Sequence, residues 1–266
     1  MSVRPVPREG GGVGRPWSRL SRAAPFCIAM EVGLLTAAGA AGAAGHAVAP
    51  PQPVESLSAV TQQVDPSVVD TITFADPAGT QILGTGIIIS STGLVLTDFH
   101  VIRDGLFTGV RVGGRGEVLP ASVVVSNPND DLALIQIEGG GSVKPATLDR
   151  AASVRVGAPI LAIGNARGRD VAPQATRGRL VALRQAVSYG VGSGMVSLDG
   201  ILEAAAPIFT GDSGGALLDD RGRVIGVIAA GADDAPCPPG EMCPLRLAYA
   251  IPIARALAQI GYDPAA

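Results

Sequence analysis

Short apolar runs closed by turn residues recur from Val68 to Ile251, and this punctuation constrains the fold more than any other feature. Six come first: Val68–Phe74, Gly86–Ser90, Leu94–Thr97, Gly109–Val112, Ala121–Val125 and Leu132–Ile137. After a glycine break at Gly139–Gly141 they resume at Pro159–Ile163, Gly178–Ala182, Ala186–Tyr189, Leu202–Ala205, Ala216–Leu218, Val224–Ala230 and Arg246–Ile251. The separators include Ser91-Thr92-Gly93, Asn127-Pro128-Asn129 and Asp219-Asp220-Arg221-Gly222. Glycine supplies positive φ in such turns, while Asn, Asp and Ser close them through their side chains. Strands this short, without long amphipathic helices between them, predict an all-β chain, an antiparallel sandwich or barrel, and exclude a doubly wound sheet. Leu57–Val64 reads as a short helix or irregular segment, and Ile253–Ile260 as a helix.

The first fifty residues differ in kind. Five arginines stand there against Glu9 and Glu31, and an apolar Ala/Gly run extends from Val32 to Gly45. A spanning helix needs about 20 apolar residues, so the run is short for an anchor and fits the core of an export signal. Residues 1–50 are therefore expected to be an export signal or N-terminal anchor, and 51–57 a Pro-rich linker. Export puts the body in a secreted or cell-envelope, periplasm-like compartment; retention of residues 23–49 is the one route to a membrane. Of the three cysteines, Cys27 lies in this leader, whereas Cys237 and Cys243 close a short loop and read as a local disulfide.

Composition excludes several functions. Aromatics make up 3% of the chain and net charge is −3, so neither a base-stacking platform nor a phosphate-binding surface is expected, and no nucleic-acid partner. No motif suggests a metal, nucleotide or other cofactor.

Chemistry concentrates in three segments. In Thr210-Gly211-Asp212-Ser213-Gly214-Gly215, glycines on both sides of a serine let the chain turn tightly and expose the hydroxyl. Backbone N–H groups of such a turn converge on a developing oxyanion. The segment also satisfies Gly-x-Ser-x-Gly, the nucleophile pattern of α/β-hydrolases, but their histidine follows the serine. Here the histidines are His46 and His100, both before Ser213. His100 ends the apolar run Leu94–Thr97 and is the one histidine beyond the leader, with the near-neutral proton affinity a serine base needs. Asp130 and Asp131 open the run Leu132–Ile137, and either carboxylate suits the task of orienting an imidazole. Asp98 and Asp104 read as solvated loop carboxylates.

Together these segments resemble the trypsin/chymotrypsin clan, and most of all its HtrA/Deg-type bacterial branch. The resemblance rests on the order His100, Asp131, Ser213. It rests also on Gly84-Thr85-Gly86-Ile87-Ile88-Ile89 with Gly93–Thr97, on Asp131-Leu132-Ala133-Leu134-Ile135, and on Ala162-Ile163-Gly164-Asn165. Gly222–Val227 and Tyr249-Ala250-Ile251-Pro252-Ile253 extend it, so that it covers roughly 58–258.

The resemblance implies two six-stranded antiparallel β-barrels, at 58–145 and at 146–266 with a short C-terminal helix, and an active site between them. It selects Asp131 over Asp130. It implies a serine endopeptidase with His100, Asp131 and Ser213 as catalytic residues and the N–H groups of Gly211 and Ser213 as the oxyanion hole. Pro207, Ile208, Phe209 and Thr210 are expected on one wall of the substrate cleft, and Ala229, Ala230 and Gly231 on the other. No carboxylate precedes the nucleophile where it would receive Arg or Lys, so small or medium aliphatic P1 residues of a protein or peptide substrate are expected. The chain departs from the branch in three ways. Asp212 replaces the usual Asn, Asn165-Ala166-Arg167 replaces Asn-Pro-Phe, and no PDZ segment follows the second barrel. The alternatives are a silent or latent peptide-binding relative of the same fold, and a serine hydrolase acting on esters. The sequence leaves the oligomeric state open.

Overall fold

The computed structural model describes residues 57–139, 141–151, 154–165, 171–191, 194–232, 241 and 243–263. The expected export segment 1–50 and Cys237 lie outside the described residues. The helix α1 (Leu57–Val64) and a 3-10 turn (Asp65–Ser67) lead into six strands. These are β1 (Val68–Phe74), β2 (Gln81–Ile88), β3 (Leu94–Asp98), β4 (Phe107–Val112), β5 (Leu119–Asn127) and β6 (Leu132–Ile137), with a one-turn helix α2 (Phe99–Ile102) after β3. They close antiparallel in the order β1-β2-β3-β6-β5-β4.

Six more strands follow: β7 (Pro159–Gly164), β8 (Gln174–Val191), β9 (Gly194–Ile208), β10 (Ala216–Leu218), β11 (Val224–Ala232) and β12 (Leu245–Pro252). They close a second barrel in the order β10-β11-β12-β9-β8-β7, and α3 (Ile253–Gln259) packs against β11 and β12. The fold is thus all-β, with two closed antiparallel six-stranded barrels. Among the described residues no helix is long and apolar enough to cross a membrane.

Three apolar layers explain why so many runs are continuously apolar rather than alternating. Val95, Ile88, Ala133 and Ile135 point into the first barrel. Their neighbours Leu96, Ile87, Leu132 and Leu134 point outward and pack with Leu161, Ile163, Val187 and Tyr189 of the second barrel. Leu180, Leu202, Leu217 and Ile228 fill the second barrel. Strands buried on both faces lose the period-two signal. Each such fully buried Ile or Leu contributes about 1.5–3 kcal/mol. α1 belongs to the shared layer: Val60 and Val64 are buried there, beside the turn at Gly222.

Candidate active site

The site forms where the C-terminal end of β3, the start of β6 and the β9–β10 loop meet. His100 sits on α2, not at the end of β3. Gly84 gives α2 its room: a Cβ there would stand 2.5 Å from a Val101 methyl. The Phe99 N–H donates to the Asp131 carbonyl at 3.0 Å, which ties α2 to the start of β6.

Asp131 is fully buried and adopts φ +52°, a conformation uncommon outside glycine. Its Oδ1 accepts the His100 backbone N–H at 2.9 Å. Its Oδ2 stands 2.7 Å from His100 Nδ1, an imidazole–carboxylate hydrogen bond that fixes the ring. The adjacent Asp130 is turned to Arg255 of α3, with an ion pair of 2.6 Å. Two consecutive carboxylates are thereby separated, one toward the imidazole and one toward a guanidinium.

Two residues that the sequence does not assign to the site complete the cluster. Asp98, read as a solvated loop carboxylate, is instead fully buried at the end of β3, with Oδ2 4.0 Å from His100 Nδ1. Neither of its oxygens has a hydrogen-bond partner among the described residues. The Gly214 N–H nearby donates to the Ile228 carbonyl at 2.8 Å. Burial, and then the Asp131 charge, push Asp98 well above the usual carboxyl range. Tyr189 of β8 donates its hydroxyl to Asp131 Oδ2 at 2.6 Å. Asp104 does lie in the open, paired with Arg103 at 3.1 Å.

The loop carrying Ser213 is docked on the first barrel through Thr85 of β2. The Thr85 N–H donates to the Ser213 carbonyl and its hydroxyl to the Gly211 carbonyl, each at 2.8 Å. The same hydroxyl accepts the Asn165 N–H at 2.9 Å, and the Thr85 carbonyl accepts the Thr97 hydroxyl at 2.7 Å. Glycine is required at 214: φ is +83°, and a Cβ would lie 2.1 Å from the Thr85 oxygen. Gly211 has φ +105°. Among the described residues the N–H groups of Gly211 and Ser213 and the Ser213 hydroxyl have no hydrogen-bond partner. The structure thus joins His100 to Asp131 but shows no bond from His100 to the half-buried Ser213; such bonds often tighten only when substrate binds. Asp212 Oδ2 accepts the Phe209 N–H at 2.8 Å, and a Cβ at Gly164 would lie 2.4 Å from its other oxygen.

The residues expected to line the substrate cleft divide by burial. Pro207 and Thr210 are exposed and Phe209 is half-buried, whereas Ile208 points into the barrel interior. Ala229, Ala230 and Gly231 are buried in β11. A Cβ at Gly231 would meet the Ile208 and Leu245 methyls at 2.7 Å. Cys243 is half-buried just before β12, and its expected partner Cys237 lies outside the described residues.

Among the described residues, Asp98, His100 and Asp131 are the one group of potential metal ligands whose donor atoms lie within 4.8 Å of one another. At bond lengths of about 2.1 Å, tetrahedral ligands stand roughly 3.4 Å apart. The 2.7 Å His100–Asp131 contact is a hydrogen-bond distance, shorter than that between two ligands of such an ion.

Comparison with known proteins places this geometry in context. The model of the trypsin-like peptidase domain matches residues 84–227. The serine protease PepD of Mycobacterium tuberculosis is 35% identical over 231 residues, 82% of this chain and 48% of that protein. A probable periplasmic serine endoprotease DegP-like of Ectopseudomonas mendocina is 32% identical over 157 residues, 55% of this chain and 29% of that protein. The chain thus spans about half the length of PepD and less than a third of the DegP-like protein. The solved structure of the HtrA-type protease AlgW with a tripeptide superposes with TM-score 0.64 at 28% identity, over 77% of this chain and 62% of that one.

Proposed function

Because this chain belongs to the trypsin-like peptidase domain family, we propose that it is an exported serine endopeptidase. Ser213 Oγ attacks the scissile carbonyl carbon, and His100 Nε2 takes the hydroxyl proton. Asp131 holds the Nδ1 proton and stabilises the imidazolium. The N–H groups of Gly211 and Ser213 receive the oxyanion, each donor contributing about 3 kcal/mol in the transition state. Collapse breaks the C–N bond, and the imidazolium gives its proton to the leaving amine. Water then repeats the sequence on the acyl-enzyme.

The observation that carries this reading is the pair of hydrogen bonds that Thr85 donates to the Gly211 and Ser213 carbonyls. It docks the loop on β2, while the N–H groups of Gly211 and Ser213 have no hydrogen-bond partner among the described residues. Ile208 and Leu245 crowd Gly231, which supports a preference for small or medium aliphatic P1 side chains in a cleft between Pro207–Thr210 and Ala229–Gly231. A lysine there would lack a partner for its charge. A protein or peptide is the substrate in this reading, as peptides are bound in the AlgW structures. The basic and apolar N-terminus and the relative described as periplasmic support a cell-envelope location, where a Cys237–Cys243 disulfide would form.

A fluorophosphonate probe tests the reading. The wild-type chain is expected to take the label, and Ser213→Ala and His100→Ala to take none. A folded wild-type chain that takes no label, or a Ser213→Ala variant that does, overturns it.

A further inference from the structure

The second barrel reaches into the residue pair that the first barrel carries. We propose that Tyr189 is a positioning residue for hydrolysis: its hydroxyl holds the Asp131 carboxylate in the plane that orients His100. The proposal rests on the triad reading above.

Asp131 Oδ2 takes two donors, His100 Nδ1–H at 2.7 Å and Tyr189 O–H at 2.6 Å. Oδ1 takes the His100 backbone N–H at 2.9 Å. With the phenol removed, both remaining donors among the described residues belong to His100 itself, so no described group outside that residue fixes the carboxylate. Asp131 has need of an external tie, since its backbone stands at φ +52° and its side chain is fully buried. Tyr189 is a rigid donor. It is 1% exposed, it lies opposite Val196 in the β8–β9 hairpin, and its ring stands edge-on to the imidazole at 6.5 Å between centroids. Burial, and then the Asp131 and Asp98 carboxyls, raise its proton affinity, so the phenol donates at every working pH.

The test compares the full-length chain with Tyr189→Phe, which removes one oxygen and keeps the ring. A hydrogen bond to a charged group, once lost, is expected to lower kcat on a peptide amide by about tenfold or more, with KM within about twofold. The His100 Nδ1 proton, assigned by its loss in His100→Ala, is expected to move downfield, because Oδ2 has one competing donor fewer. A structural role alone moves neither kcat against KM nor that proton. Should Tyr189→Phe unfold, replacing the three tyrosines with 3-fluorotyrosine keeps the shape and strengthens the donor, and the proton is expected to move upfield. An unmoved proton, or a folded Tyr189→Phe with unchanged kcat, overturns the proposal. A wild-type chain without turnover or label overturns the triad reading instead, and the proton shift then decides the Tyr189 contact alone.

Discussion

The two barrels share one strand order and differ in one hairpin. Counted from its first strand, each runs one-two-three-six-five-four. In the first barrel the hairpin between strands two and three is compact, with 8 residues in β2 and 5 in β3. In the second, β8 has 18 residues and β9 has 15. Three register shifts and the left-handed Arg184 bend that longer pair. Closure of a barrel fixes where strands pair near its wall, not how far a hairpin continues beyond it. The compact hairpin feeds α2 and His100; the long one returns Tyr189 to Asp131. The same position in the topology thus leads to the imidazole in one barrel and carries the phenol that reaches its carboxylate partner in the other.

Substitutions at the seam between the barrels break this division of labour most severely. Gly214→Ala drives a methyl to 2.1 Å from the Thr85 oxygen and 2.5 Å from the Thr97 hydroxyl, on a left-handed backbone. A loss of several kcal/mol of stability, about 3 or more, is expected in denaturant unfolding, together with loss of labelling. A variant of wild-type stability would show that the seam is looser than its contacts.

Thr85→Val has the next largest effect. It strips the Gly211 carbonyl and the Asn165 N–H of their partner while leaving both barrels closed. The expected cost is about 2–3 kcal/mol, with Thr85→Ser close to wild type. Measuring kcat/KM beside stability sharpens the comparison, because activity is expected to fall further than the fold.

Asp98→Asn is the mildest and depends on pH. A carboxyl whose proton affinity is raised by folding favours the native state in acid and penalises it as pH climbs above the unfolded range near 3.9. Asparagine carries no such penalty. The variant is expected to match wild type at pH 4 and to exceed it by about 1 kcal/mol or more at pH 8, in urea titrations at both. An equal difference at both pH values would mean that Asp98 is ionised in the native protein.

What the sequence makes legible follows the same division. β1, β6 and β10 have the bounds read from the sequence, since turn residues bracket runs that are mostly apolar or β-branched there. β8 was read as two strands, Gly178–Ala182 and Ala186–Tyr189, because Arg184 and Gln185 interrupt the apolar pattern at a bulge and side-chain spacing cannot show a bulge. Ser213 and His100 stand out through residue type and local glycine. Asp98 does not, because Thr97-Asp98-Phe99 carries no sign of burial, which comes from the second barrel's loop laid over it. Tyr189 is silent for a similar reason: 58 residues separate it from Asp131 along the chain.

Thr85 has a mechanical consequence. Every polar atom of this one residue is engaged: its N–H and hydroxyl hold the serine loop, and its carbonyl holds β3. The apolar layer holds the barrels together, but the polar seat of the serine loop on β2 depends on this one residue. Under rising denaturant, labelling of Ser213 is therefore expected to be lost before the strands of either barrel come undone.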